Sequence, residues 1–359
     1  MKIWIDGYEA NAQQRVGSGQ VAFELIKAFE KLDHQNNYTI CLPGSPLDDL
    51  PKAREGWQYK ILKPKRFWTR IALPIALYFS KEKPDLIFSP THYIPNPTSV
   101  KRIVTIFDLS FLKFPETFLR SDLWQLTKGT KFSARFADHI ITISNSTKKD
   151  IISQYKINKE KITVAYPGFN NDIFHKSSNK SENYIIYIGT IQPRKNLIRL
   201  MEAVSKIENL RLVVVGKTEG EGKKGWKYEE ILETPKRLGI EDRVEFRGFV
   251  PLKELSGLLA GAQAFVLPSL YEGFGIPVLE AMASGTPVIV SNVSSLPEVV
   301  GKAGLLVNPN SVDQIEQAIR TIVSDKEIRE KYSRLGIEQA KKFSWDKMAK
   351  IILKVFASI

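Results

Sequence analysis

Cysteine is nearly absent from this 359-residue chain. The lone Cys41 excludes an internal disulfide framework. It sits in an apolar, strand-like run, so a buried inert thiol and a reducing, cytoplasmic setting are expected. No apolar run approaches the roughly 18 residues a spanning helix needs, and Met1-Lys2-Ile3-Trp4-Ile5 reads as a first strand rather than a signal peptide. Helix-turn-helix, zinc-finger and RNP-like signatures are lacking, which argues against nucleic acid as a partner. The dinucleotide fingerprint Gly-x-Gly-x-x-Gly is also missing: after Gly17 and Gly19, Ala22 or Phe23 stands where the third glycine should be.

What the chain does have is apolar content and positive charge. With 43% apolar residues it can bury ample core and is expected to form two domains. The formal net charge is +13, and residues 1–170 carry 25 Lys/Arg against 16 Asp/Glu, a balance of +9. Such an excess points to an anionic partner: a phosphorylated substrate, a membrane surface or nucleic acid.

One stretch organises the rest. Ala264-Phe265-Val266-Leu267 has the apolar run of a strand buried on both faces. Pro268 to Gly285 follows, with glycines flanking Phe274, Pro277 suited to a first helical turn and Gly285 to a helix end. Strand, glycine turn and helix leave unpaired N–H groups where an anion could sit. Glu272 falls in the turn and Glu280 one to two turns into the helix. If all eight intervening steps were helical, they would lie ~12 Å apart. A glycosidase acid/base pair needs roughly 5–9.5 Å. Two separate jobs fit better than a shared one.

Further strands are expected at Tyr38–Leu42, Leu86–Ser89, Ile103–Phe107, Ile140–Ser144, Thr163–Ala165, Tyr184–Ile188, Leu212–Gly216, Val244–Phe246 and Val288–Ser291. Helical segments alternate with them, which argues for parallel sheets covered on both faces. The loop Arg15–Gln20 holds Gly17 and Gly19, where the backbone could approach a ligand closely, or where an ordinary strand-to-helix turn suffices. Lys60 to Arg70 interleaves cations with Phe67 and Trp68, ahead of the apolar 71–79, Lys81 and Lys83. It reads either as an interfacial helix on an anionic bilayer or as a core helix with a solvated basic edge.

Ser89–Tyr93, with His92, and Thr105–Ser110, with Asp108, follow apolar runs at strand ends, where open α/β sheets bind ligands. Ser144 or Ser146 caps a helix. The polar Lys176–Asn183 is the natural linker. After Gly189, Arg194 and Lys195 precede another helix and could neutralise a diphosphate leaving group.

Glu-Gly-Phe-Gly-x-Pro-x-x-Glu-Ala-Met-Ala-x-Gly-x-Pro-Val, from Glu272, resembles the nucleotide-sugar motif of retaining glycosyltransferases of family four (glycosyl transferases group 1), mannosyltransferase-like members included. Other segments resemble the same family: Gly17-Ser18-Gly19, Thr105–Ser110, Tyr166–Asn170, Gly189–Asn196, Phe249-Val250-Pro251 and Ser295–Val299. The resemblance covers nearly the whole chain, most specifically Tyr184 to Pro309.

It implies an α/β fold of GT-B type, two Rossmann-like domains with parallel sheets facing across a cleft. Residues 1–175 would bind acceptor, 176–342 would bind the nucleotide sugar, and 343–359 would form a helix crossing back to the first domain. The implied catalytic residues are Glu272, toward the donor sugar, with Asp108 and Lys195; His92 and Arg194 join them as candidates from this chain's own loops. The implied donor contacts are Gly17, Gly19, Arg194, Lys195, Phe249, Val250, Gly273, Phe274, Gly275 and Glu280, the last on the ribose. Phe107 departs from the pattern, standing where many members have a His; His92 could supply that imidazole from the neighbouring loop. Thr190 stands where some members carry an extra Arg, and Arg194 could compensate.

No Asp-x-Asp occurs, so a metal-independent, cofactor-free transfer is expected, with cations and a helix start stabilising the leaving group. The donor would be a GDP- or UDP-sugar, mannose favoured, and the acceptor a glycan or lipid-linked hydroxyl on the inner face of a membrane. The rivals are an epimerase or phosphorylase of the same fold and a catalytically impaired nucleotide-sugar binder.

Overall fold

The computed structural model describes residues 1–15, 17–176, 182–216 and 228–359, and these pack as two units. Val16 and most of the expected linker, 177–181, lie outside the described residues. The first unit takes Met1–Leu109, Trp124–Pro167 and Ser344–Ile359; the second takes Ser110–Leu123 and Gly168–Phe343.

The first unit holds seven strands: β1 (Lys2–Asp6), β2 (Asn37–Leu42), β3 (Trp57–Ile61), β4 (Leu86–Ser89), β5 (Lys101–Ile106), β6 (His139–Thr142) and β7 (Ile162–Val164). They pair in parallel in the order β3-β2-β1-β4-β5-β6-β7. The second unit holds β8 (Tyr184–Ile188), β9 (Arg211–Val215), β10 (Val244–Phe246), β11 (Ala264–Leu267), β12 (Val288–Ser291) and β13 (Gly304–Val307). These are also parallel, ordered β10-β9-β8-β11-β12-β13. Each sheet thus reverses direction once beside its first strand, between β1 and β4 and between β8 and β11. That is the doubly wound order, whose switch point opens a crevice at the carboxyl ends of the strands.

The strands are apolar because both faces are covered. Ile3, Ile5, Ile40 and Phe88 in the first sheet, and Ile185, Ile186, Phe265, Val266 and Ile289 in the second, are fully buried. In the first unit the helix Ser18–Leu32 packs against the closing helix Trp345–Ser358. Phe356 of that helix meets Phe29 at 5.6 Å and Phe88 at 5.4 Å between ring centroids.

Expected strands appear within two residues of their expected bounds, and β4, β8, β10, β11 and β12 coincide with them. Two strands were not expected. β3 is an edge strand with polar Gln58 and Lys60, so it lacks the buried-run pattern, and it absorbs Lys60 and Ile61 from the basic segment. β13 is one edge of the other sheet, and its Leu306 is exposed. Arg194 and Lys195 precede a helix as expected, and they lie in a single 3-10 turn, Pro193–Lys195. Asn196 then adopts φ 64°, and the helix Leu197–Ser205 begins only after it.

Candidate donor site at the second switch point

The loops after β8 and β11 flank the switch point of the second sheet, and they meet. Lys195 Nζ donates to both Glu272 carboxylate oxygens, at 2.6 and 2.8 Å. Arg194 Nη1 stands 3.7 Å from the same carboxylate and donates to the Tyr271 carbonyl at 2.7 Å. Ser269 Oγ donates to Glu272 Oε1 at 2.7 Å. All three charged side chains are largely removed from solvent, at 12%, 11% and 8% exposure for Lys195, Arg194 and Glu272. Burial pushes the Glu272 carboxyl up, but the charges of Lys195 and Arg194 and the hydrogen bonds from Lys195 and Ser269 outweigh it and hold it below its ordinary value. With two cations against one carboxylate the cluster keeps a net charge of +1. The buried Arg194 Nε has no partner among the described residues.

The loops are fixed by their backbones as well. Leu270 N donates to the Arg194 carbonyl at 2.9 Å, and Asn196 Nδ2 ties Pro268 and Pro309 carbonyls at 2.9 and 2.6 Å. Ser294 Oγ accepts from Glu272 N at 3.0 Å, and Ser295 Oγ donates to the Glu272 carbonyl at 2.9 Å and the Phe274 carbonyl at 3.2 Å. Sequence reasoning passed over Ser269 and Ser294 as site residues, and treated Asn196 and Ser295 only as parts of matching segments. Their one signal is clustering of small polar residues beside glycine turns, which any loop shows.

Gly275 has φ 98° and opens the helix Ile276–Ala283; a Cβ there would come within 3.0 Å of Leu296 Cδ2 and 3.2 Å of Val278 Cγ2. Phe274 is buried against Phe343, centroids 5.7 Å apart. Glu280 is the fifth residue of that helix, half-buried, and burial alone pushes its carboxyl up to about 7. Phe249 is 55% exposed while Val250 is buried, in a loop held by Gly216 N donating to the Gly248 carbonyl at 2.9 Å. The structure therefore brings Arg194, Lys195 and Glu272 into direct contact. Gly273 to Gly275 and Glu280 run on from that cluster into the next helix, and Phe249 and Val250 sit on a separate loop.

The remaining expected residues lie in or beside the first unit's strand-end loops. Gly17, φ 54°, is exposed and precedes the helix Ser18–Leu32; a Cβ on Gly19 would come within 3.1 Å of the Glu9 carbonyl. His92 is half-buried after β4, its ring 5.6 Å from that of Phe107, with Nδ1 3.4 Å from Thr130 Oγ1. Burial holds the imidazole below its ordinary value, while the charge of half-buried Asp108 pulls it back up. Phe107 itself is buried, and its carbonyl accepts from Thr147 Oγ1 at 3.0 Å. Ser144, not Ser146, caps the helix Asn145–Tyr155.

Two doubly wound parallel units, one carrying a buried carboxylate bridged to two cations at its switch point, give the chain the α/β units of a GT-B-type fold. Residues 16–172 match the family described as Glycosyltransferase Family 4, and residues 169–342 match Glycosyl transferases group 1. The O-antigen chain mannosyltransferase B of Escherichia coli is 32% identical, over 92% of this chain and 93% of that protein. The O-antigen chain mannosyltransferase RfbU of Salmonella typhimurium is also 32% identical, over 71% of this chain and 69% of that one. The chain belongs to the family-four glycosyltransferases and is a glycosyltransferase.

Solved structures agree on the fold. Sucrose-phosphate synthase from Thermosynechococcus elongatus matches with a TM-score of 0.80 at 20% identity, over the whole of both chains. Anabaena HepE, solved in complex with UDP-glucose, matches with a TM-score of 0.76 at 18% identity, over 100% of this chain and 99% of that one.

Proposed function

We propose that the protein transfers a hexose, mannose before others, from a nucleotide diphosphate sugar to a hydroxyl of a glycan or lipid-linked acceptor, with retention and without a metal. The observation that carries this is the Lys195–Glu272–Arg194 cluster at the β8/β11 switch point. Its net positive charge suits a diphosphate, and its carboxylate suits a sugar hydroxyl. Two O-antigen mannosyltransferases among the relatives favour mannose, and the UDP-glucose bound by HepE keeps UDP-sugars in view.

As the glycosidic bond breaks, negative charge gathers on the leaving diphosphate. Arg194, Lys195 and the N–H groups opening the helix Ile276–Ala283 would stabilise it, so no cation is required. Glu272 would orient the sugar and Glu280 the ribose, while Phe249 and Val250 would receive the base. Among the described residues no side chain presents itself as a covalent nucleophile. A front-face step fits, in which the acceptor oxygen attacks as the C–O bond to phosphate breaks and the leaving phosphate takes the acceptor proton. The first unit, with Gly17, Gly19, Asp108 and His92, would serve the acceptor side. A lipid-linked acceptor would bring the protein to the inner face of a membrane.

A second reading is kept by one residue: Phe107, where a His is common in the family, fits an impaired binder. A thermal-shift panel of nucleotide sugars on the wild type and Glu280→Ala, followed by nucleoside diphosphate release with acceptor glycans, tests both. A sugar that stabilises the wild type by ~2.7 kcal/mol at 100 times its dissociation constant, with the shift reduced in the variant, supports the donor site. No shift by any nucleotide overturns it, and binding without turnover on any acceptor supports the impaired binder.

A further inference from the structure

The helical run after β3 has two apolar faces. It consists of a π-helical turn, Trp68–Ala72, and the helix Leu73–Tyr78. One face is core: Trp68, Ala72, Leu73 and Leu77 pack with Trp4, Cys41, Leu62, Ile87 and Val100. The Trp68 indole N–H donates to the buried Asp6 carboxyl at 2.8 Å, and the Thr69 carbonyl accepts from Asn96 N at 3.2 Å, so the run is pinned to its unit. The other face is apolar and open. Phe67, Ile71, Ile75, Tyr78 and Phe79, spaced i, i+4, i+8, i+11 and i+12, are 54%, 36%, 50%, 74% and 75% exposed. With Ile61, six of the fourteen exposed large apolar side chains among the described residues fall within residues 61–79. A soluble surface scatters such residues singly, and a stripe marks a docking surface.

Its charge frame selects the occupant. Lys63, Lys65, Arg66 and Arg70 are exposed at the amino end and Lys81 and Lys83 beyond the carboxyl end. The only acid from 61 to 83 is Glu82, paired with Lys2 at 2.7 Å. Six cations against one carboxylate leave the segment at +5. A protein partner or a second copy of this chain would satisfy the stripe but give no reason for cations at both ends. An anionic bilayer satisfies both, burying aromatic and aliphatic side chains at the acyl boundary and meeting the cations with lipid phosphates. Among the described residues no helix is long and apolar enough to cross a membrane.

We infer that the Phe67–Phe79 face docks the protein, in the plane of the interface, on an anionic membrane surface. The inference deepens the proposed membrane-side acceptor and rests on that reading for its purpose. Its test uses neither donor nor acceptor, so it can fail while the transferase reading stands. The full chain is floated with vesicles of phosphatidylethanolamine and phosphatidylglycerol, and with phosphatidylcholine vesicles alone. Two variants are compared: Ile75→Ser/Tyr78→Ser/Phe79→Ser, and Lys63→Ser/Lys65→Ser/Arg66→Ser/Arg70→Ser.

The expected result is wild-type binding to the anionic vesicles that weakens with salt, and little binding to phosphatidylcholine. Each variant should lose at least about tenfold in partitioning while melting as the wild type does. The inference is overturned if the wild type does not float with anionic vesicles, or if both variants bind as it does. It is also overturned if light scattering finds a dimer that the apolar variant dissociates, since the face would then belong to a second copy.

Discussion

Glu272 sits between Lys195 and Arg194, whereas Glu280, eight residues further along the chain, has only its burial to set its acidity. The consequences for pH run in opposite directions. A carboxyl held below its ordinary value stabilises the fold above that value and loses the contribution as pH falls through the lowered one. The wild type's advantage over Glu272→Gln should therefore shrink in acid, below about pH 4.5, while at neutral pH the substitution leaves two largely desolvated cations without their counter-ion. We expect a loss of about 2–4 kcal/mol at pH 7 in urea denaturation. Glu280, pushed up to about 7, costs stability when it ionises. Glu280→Gln should then match the wild type near pH 4 and exceed it at pH 8, by about 1–3 kcal/mol. Melting temperatures across pH check this, and a wild type that stays ahead at pH 8 would rule it out. Lys195→Ala should lower kcat/KM by about 100-fold or more, through loss of charge at the leaving group.

At the scale of elements, the glycine turn between β11 and the helix Ile276–Ala283 carries the site. Gly275→Ala puts a methyl group into a left-handed backbone 3.0 Å from Leu296, and should cost about 1–3 kcal/mol while weakening any nucleotide-induced thermal shift. Ser295→Ala removes the hydroxyl that bridges the Glu272 and Phe274 carbonyls, with an expected cost of about 1–2 kcal/mol and a raised KM for donor. This turn was the most legible part of the sequence, because an apolar run, two glycines and a proline dictate strand, turn and helix locally. The contact of Lys195 with Glu272, 77 positions apart, was not. It depends on β8 and β11 becoming neighbours in the sheet, which no local pattern records. Edge strand β3 escaped for a related reason: with one side unpaired it needs no continuous apolar run, so Gln58 and Lys60 look like loop, whereas β13 is a short apolar Gly-Leu-Leu-Val run that the sequence reading passed over.

For the whole molecule, each unit has its own buried core and sheet, so two thermal transitions are expected. The last helix, Trp345–Ser358, belongs to the first unit although it follows the second in sequence. It buries Met348, Ala349, Ile352 and Phe356, and Lys31 pairs with Asp346 at 2.8 Å. That ion pair is exposed and adds little. Phe356 lies fully buried between Phe29 and Phe88, so Phe356→Ala should cost about 3–5 kcal/mol, the usual price of an aromatic cavity. Calorimetry should then show a lowered transition for the first unit, while a donor nucleotide raises the transition of the second. If Phe356→Ala instead lowers every transition equally, and donor raises every transition equally, the two units unfold as one cooperative body. The stability of the donor site would then depend on a helix contributed by the far end of the chain.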